Sequence, residues 1–256
     1  MTDPQPRLRM FAGPNGSGKS TIKEVIPAEW LGVYINPDEI EKTIRETGGL
    51  SLAEFEVQTT GPVLRSFLET SVLLARVGLL PLFRHLRLDE QAQRIDFGDV
   101  AVNSYWASVL SDFLRQQLLA TRTSFTFETV MSSADKVAFF CQARAAGFRT
   151  YLYYVATEDP TINVERVRQR VASGGHDVSE DKIRSRYQRS LDLLLDAVEC
   201  ADRAYVFDNS GSDRLWVAEA TDGTELEMKT DAMPAWFKTA LWDRFGGIEE
   251  MAASPA

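Results

Sequence analysis

Gly13-Pro14-Asn15-Gly16-Ser17-Gly18-Lys19-Ser20-Thr21 joins a glycine-rich run to a lysine and two hydroxyls, a grouping suited to holding phosphate. Gly13, four further residues and then Gly18-Lys19-Ser20 have the spacing of a P-loop. Glycines let the backbone curl so that successive N–H groups face phosphate oxygens. A helix opening at Lys19 is expected to aim its positive end at the same anion. Lys19 is then expected to reach the β- and γ-phosphates of ATP, and Ser20 to help hold Mg²⁺. A chance glycine-rich turn is the alternative, and a complete motif between a strand and a helical stretch weighs against it. The motif specifies a nucleotide, not a reaction.

Two acids and a basic helix pair narrow the chemistry. Asp38 ends an expected strand, Gly32 to Asn36, on the side where open α/β sheets bind ligands. A carboxylate there can accept a proton from a hydroxyl that attacks the γ-phosphorus; a helix N-cap is the competing reading. Glu128 follows the β-prone run Thr123–Phe127 in the same way, with an exposed strand-end glutamate as its alternative. Arg166, Arg168 and Arg170 precede Ser173-Gly174-Gly175, and Arg184, Arg186 and Arg189 follow it. Such a hinged pair can close arginines over a moving phosphoryl group, or form a solvated, salt-bridged surface. No Asn-Lys-x-Asp guanine reader occurs, and the Ser-Gly-Gly at 173–175 lacks the Asp-Glu strand that an ABC ATPase needs.

The elements that must position these groups alternate along the chain. Strands are expected at Arg7–Ala12, Gly32–Asn36, Ser124–Phe127, Thr150–Val155 and Ala204–Phe207, with helices at Asn103–Thr121, Lys136–Ala146, Ile162–Ala172 and Glu180–Glu199. This order predicts a three-layer α/β P-loop fold with a mostly parallel sheet. The domain spans residues 1–210, residues 48–99 reading as a helical insertion near the substrate side. Residues 211–256 form a C-terminal β-hairpin about Asp222-Gly223 and a helix, Pro234 to Phe245, packed on the core.

Bulk properties agree with an ordinary globular chain of 256 residues, 44% of them hydrophobic. A net charge of −9 and a pI near 4.9 argue against nucleic-acid binding. No apolar stretch is long enough to span a bilayer. The two cysteines, Cys141 and Cys200, are far apart and show no metal spacing, so neither a disulfide nor a metal framework is indicated and a reducing cytoplasm is the default.

Five blocks carry a resemblance: Gly13–Thr21, Asn36–Ile40, Phe127–Ser132, Gly174–Val178 and Phe207–Ser210. In order, over about residues 7 to 210, they resemble the zeta-toxin-like family of P-loop kinases. The resemblance implies ATP- and Mg²⁺-dependent phosphorylation of the amino-sugar of UDP-N-acetylglucosamine by the toxin of a toxin–antitoxin pair. It implies Lys19 for the phosphates, Asp38 as general base, and Glu128, with Thr129 beside it, on the substrate or metal side. Arg166 matches the first lid arginine of that family. The second falls near Gly175-His176, where His176 or Arg170 takes its place. Two rivals remain: a kinase for another metabolite or nucleotide, and a slow ATPase switch regulated by a partner protein.

Overall fold

The computed structural model describes residues 5–23, 26–172 and 178–245. From the N-terminus, strand β1 (Arg7–Ala12) runs into the glycine-rich loop, which ends in a single 3₁₀ turn, Lys19–Ile22. A helix opening at Lys19 was expected, and the described residues there form this 3₁₀ turn. A short helix α1 (Ala28–Leu31), β2 (Val33–Ile35) and α2 (Pro37–Thr47) follow. Asn36 starts α2 by accepting the Asp38 and Glu39 amides at 2.9 and 3.5 Å, with Pro37 at the first position where no N–H is needed. Gly48, at φ 73°, ends it by returning its N–H to the Ile44 carbonyl.

Next come β3 (Gly49–Ser51), α3 (Gly61–Glu69), α4 (Val72–Arg76), β4 (Arg87–Asp89), β5 (Arg94–Asp96) and α5 (Ser104–Ala120), the last capped by Asn103. Then β6 (Phe125–Thr129), α6 (Ala134–Ala145), β7 (Arg149–Ala156), α7 (Pro160–Ala172), α8 (Glu180–Asp192), α9 (Leu194–Glu199) and β8 (Arg203–Asp208) alternate. The last elements among the described residues are β9 (Leu215–Thr221), β10 (Glu225–Met228), α10 (Ala235–Phe237) and a π-turn, Lys238–Trp242. The result is a three-layer α/β fold with a mostly parallel sheet and C-terminal strands.

Two compact units divide the chain. The larger comprises residues 1–31 and 127–256. Its strands run in the order β10-β9-β8-β7-β1-β6. β1 and β7 pair in parallel from Arg7↔Arg149 to Ala12↔Tyr154, and β7 and β8 from Tyr151↔Arg203 to Ala156↔Asp208. Parallel pairing brings the carboxyl ends of β1, β7 and β8 to one edge, where the phosphate loop begins. β9 adds antiparallel to β8, and β10 returns along it through Asp222 and Gly223, both at positive φ, as the hairpin pattern required. Leu8, Met10, Leu152, Tyr154, Ala204 and Val206 alternate into a fully buried face.

The smaller unit spans residues 32–126. Here α2 packs on α5, whose Trp106, Leu110, Phe113 and Leu114 are buried. The Val33 amide bonds the Ser124 carbonyl at the entry to β6.

The helical reading of residues 48–99 holds for α3 and α4 but missed three strands. Antiparallel strands β3, β5 and β4 form a three-stranded sheet in which Leu50, Ile95 and Leu88 stand in register. Strands of three residues carry one apolar side chain each, too little alternation to register in the sequence. The expected helix Glu180–Glu199 is also broken, at Leu193.

Cys141 and Cys200 are joined by a disulfide, with Cα atoms 4.9 Å apart and a sequence separation of 59. That pairing overturns the expectation of two unlinked cysteines. Packing of α6 against α9 creates it, and linear spacing carries no trace of that contact. With the pair joined, cysteine usage no longer points to a reducing compartment. Among the described residues, no helix is long and apolar enough to cross a membrane.

Candidate active site

The phosphate loop is shaped from three sides of the larger unit. Gly13 sits at φ 138°, and a Cβ there would lie 2.0 Å from the Val155 carbonyl oxygen at the end of β7. Gly18, at φ 93°, has no room either: its Cβ would meet the Asn209 amide nitrogen at 2.3 Å. Both positions need glycine for conformation and for space.

Side chains from α7 and from the turn after β8 hold the loop in place. Asn163 Nδ2 donates to the Asn15 carbonyl at 2.6 Å, and Asn209 Nδ2 donates to the Ser17 carbonyl at 2.8 Å. Asn163 is itself fully buried, bonded through Oδ1 to the Thr157 hydroxyl. The Thr157 carbonyl accepts the Tyr187 phenol at 2.6 Å, and burial raises the pKa of that phenol, so it stays a donor. Thr21 donates to the Gly18 carbonyl at 2.7 Å and accepts from Arg214 at 2.9 Å.

Lys19 Nζ folds onto the loop, donating to the carbonyls of Gly13 (2.8 Å) and Pro14 (2.9 Å). Ser17 Oγ and Asn15 Oδ1 are buried in the loop with no hydrogen-bond partner. A cradle of curled backbone, one ammonium and a buried hydroxyl awaiting a partner fits a polyphosphate.

Beside it, the Ser20 hydroxyl lies 3.5 Å from Glu128 Oε2. Glu128 falls within β6 and is 8% exposed, so the alternative of an exposed strand-end acid is excluded. Hydroxyl and carboxylate are hard oxygen donors of the kind Mg²⁺ takes, with phosphate oxygens and water completing its shell. Among the described residues no cluster of three or more His, Cys, Asp or Glu could hold a metal ion by itself. This pair therefore fits a metal that arrives with phosphate.

Thr129 ends β6, and its hydroxyl accepts the Met131 amide at 3.0 Å, which shapes the turn where Met131 takes φ 52°. Arg166, half-buried on α7, donates to the Asn209 carbonyl at 2.7 Å and so stands against the residue that braces Ser17. Arg170 is exposed one turn further along α7. Arg168 and Arg184 both bond Glu180, at 2.9 and 2.8 Å, and belong to the salt-bridged surface. His176 lies outside the described residues. In the smaller unit, Asn36 caps α2, so Asp38 is not the cap; it occupies the second helical position and is exposed.

The sequence reading did not single out Asn163, Asn209 or Arg214. Asn209 lies in the Phe207–Ser210 block that resembles known kinases, which was its available signal. Asn163 and Arg214 sit in no motif.

A family model described as an AAA domain (AAA_33) matches residues 8–194. The chain belongs to this family. The match takes in β1, the phosphate loop, Glu128 and α7, while β8 and everything after it lie beyond the matched residues. Among solved structures, this AAA-domain chain is similar to the AvrRxo1-ORF1:AvrRxo1-ORF2 complex with sulphate ions, at TM-score 0.52 and 13% identity over 89% of this chain and 62% of that one. The same complex with ATP matches at TM-score 0.50 and 13% identity, over 94% and 63%. The chain thus spans under two thirds of those proteins, and at such identity the likeness is one of fold. An uncharacterized Haemophilus influenzae protein is 33% identical over 63 residues, 25% of this chain and 45% of that protein. The resemblance to zeta-toxin-like P-loop kinases is borne out at the level of the P-loop family and its fold.

Proposed function

We propose that the chain is an ATP-dependent kinase that transfers the γ-phosphate of Mg-ATP to a hydroxyl of a small molecule, a UDP-amino-sugar such as UDP-N-acetylglucosamine being the preferred acceptor. The observation that carries the reading is the Ser20 hydroxyl beside the Glu128 carboxylate, next to a loop whose lysine rests on its own carbonyls. That combination provides a phosphate end and a metal side in one place. A neighbour solved with ATP supports ATP as the donor.

In this reading, Lys19 leaves the carbonyls of Gly13 and Pro14 for the β- and γ-phosphates, and backbone N–H groups of the loop, Pro14 having none, take the remaining oxygens. Ser20 and Glu128 would hold Mg²⁺, which would supply positive charge to offset that of the phosphates. Asp38 accepts the acceptor's proton as its oxygen bonds the γ-phosphorus, and the bond from that phosphorus to the β-phosphate oxygen breaks, leaving ADP. Arg166 stabilises charge on the phosphoryl group in transit, with Arg170 or His176 as second contributor; Glu128 and Thr129 border the acceptor. Residues 1–210 are the catalytic domain and residues 211–256 pack on it. The AvrRxo1-ORF1:AvrRxo1-ORF2 neighbour is a two-component complex, which supports a protein partner, of the antitoxin kind, here as well.

The test is transfer of label from γ-labelled ATP to a panel of UDP-sugars, other nucleotides and a metabolite extract. Label on a UDP-amino-sugar, lost in Lys19→Ala and in Asp38→Asn, is the expected result. Label on another compound would retain the kinase and replace the acceptor. Hydrolysis with no labelled acceptor would replace it with a partner-regulated ATPase.

A further inference from the structure

We infer that the C-terminal segment beyond the family-matched residues sets the shape of the phosphate cradle, through Trp236 and Asp208 as positioning residues. The inference rests on the reading of residues 13–21 as the nucleotide cradle, and it adds machinery from a part of the chain that the AAA domain match, ending at residue 194, does not reach.

Asp208 ends β8 with its side chain buried. Its carboxylate accepts three hydrogen bonds: from Trp236 Nε1 at 2.6 Å, from the Ser210 amide at 2.9 Å and from the Ser210 hydroxyl at 2.9 Å. The Ser210 hydroxyl in turn accepts the Glu158 amide at 2.7 Å, and Glu158 Oε1 accepts the Ala235 amide at 3.1 Å. The bonds therefore close a ring from the C-terminal segment through the ends of β8 and β7 and back.

Asn209 lies inside that ring, between two of its members. Its amide donates to the Ala156 carbonyl at 2.8 Å, its carbonyl accepts Arg166, and its side chain donates to the Ser17 carbonyl. The same side chain fills the space that a Cβ on Gly18 would need. Trp236 thus acts on the loop at one remove: it fixes Asp208, the turn fixes Asn209, and Asn209 fixes Ser17 and Gly18.

Charge makes the indole bond specific. A buried carboxylate depends on every donor it has, because desolvation penalises the charged form most. The Trp236 ring also packs on Tyr154 and Phe237, with centroids 6.1 and 6.0 Å away, which a phenyl ring can largely retain. Trp236→Phe therefore separates the N–H from the packing. A second variant, Asn209→Ala, cuts the last link without touching Trp236.

The experiment is amide hydrogen exchange on the ligand-free full chain, with calorimetric titration of Mg-ATP alongside, for wild type and both variants. The expected result is exchange about tenfold faster at residues 13–21 in both variants, with the amides of β1 and β7 unchanged, and Mg-ATP affinity about tenfold lower. Unchanged exchange at residues 13–21 in Trp236→Phe overturns the inference. So does acceleration spread evenly over the sheet, which marks a purely structural tryptophan. If wild type fails to bind Mg-ATP the functional reading falls, and the exchange pattern still decides whether the C-terminal segment governs the loop.

Discussion

In the proposed mechanism, Lys19 serves the phosphate and Glu128 the metal. Removing the Lys19 ammonium deletes a charge-assisted contact to phosphate, so Lys19→Ala should weaken ATP binding by about 2 to 3 kcal/mol, a fall of roughly 30- to 150-fold read by calorimetry. Asp38→Asn should differ: nucleotide binding stays within about twofold while transfer falls by roughly 10² or more, because only the proton acceptor is lost. Loss of both together would give Asp38 a structural role instead. The loop residues were legible because the P-loop imposes types and spacing together. Glu128 was legible as a strand-end acid, yet its closeness to Ser20 depends on how β6 and the loop sit in the larger unit. Asn163 and Asn209 were not legible as loop braces, since each contacts backbone carbonyls, and a carbonyl leaves no mark on residue identity.

At the scale of elements, the turn after β8 and the start of α7 close around the loop, and glycine allows that approach. Gly18→Ala should cost about 1 to 2 kcal/mol of stability from its left-handed backbone alone. It should also weaken ATP binding, because the new methyl group displaces the Asn209 amide. Chemical denaturation and ATP titration of one preparation check both effects. Arg168→Ala and Arg184→Ala should each change stability by less than about 1 kcal/mol, as exposed partners of Glu180. A larger transfer defect in Arg166→Ala than in either would match its place against Asn209. The helix from Asn103 and the C-terminal hairpin about Asp222-Gly223 were readable from their pattern, whereas the start of α2 was not: its cap is Asn36, two residues before the Asp38 that the sequence offered. The three-stranded sheet of the smaller unit was not, because its strands are short and its pairing joins residues some forty positions apart, such as Leu50 and Ile95.

For the whole molecule, the Cys141–Cys200 link closes a long loop of the larger unit. By chain entropy, a loop of 59 residues is stabilised by about 4 kcal/mol. Reduction, or the double change Cys141→Ser with Cys200→Ser, should therefore lower the melting temperature by on the order of 10 °C. Scanning calorimetry with and without reductant measures it; an unchanged melting temperature would mean that α6 and α9 hold each other without the bond. The parallel order of the sheet was readable from alternating strands and helices, whereas the cysteine pairing was fixed by a helix contact that no local pattern encodes.

The central claim, that one site holds phosphate through Lys19 and metal through Ser20 and Glu128, is tested most directly by calorimetric titration of ATP with and without Mg²⁺. The account predicts that Mg²⁺ tightens ATP binding to wild type by about tenfold, and that Lys19→Ala weakens binding under both conditions. Glu128→Gln should keep the Mg-free affinity and lose the tightening. No ATP binding by wild type, or a Glu128→Gln variant that responds to Mg²⁺ as wild type does, would contradict it.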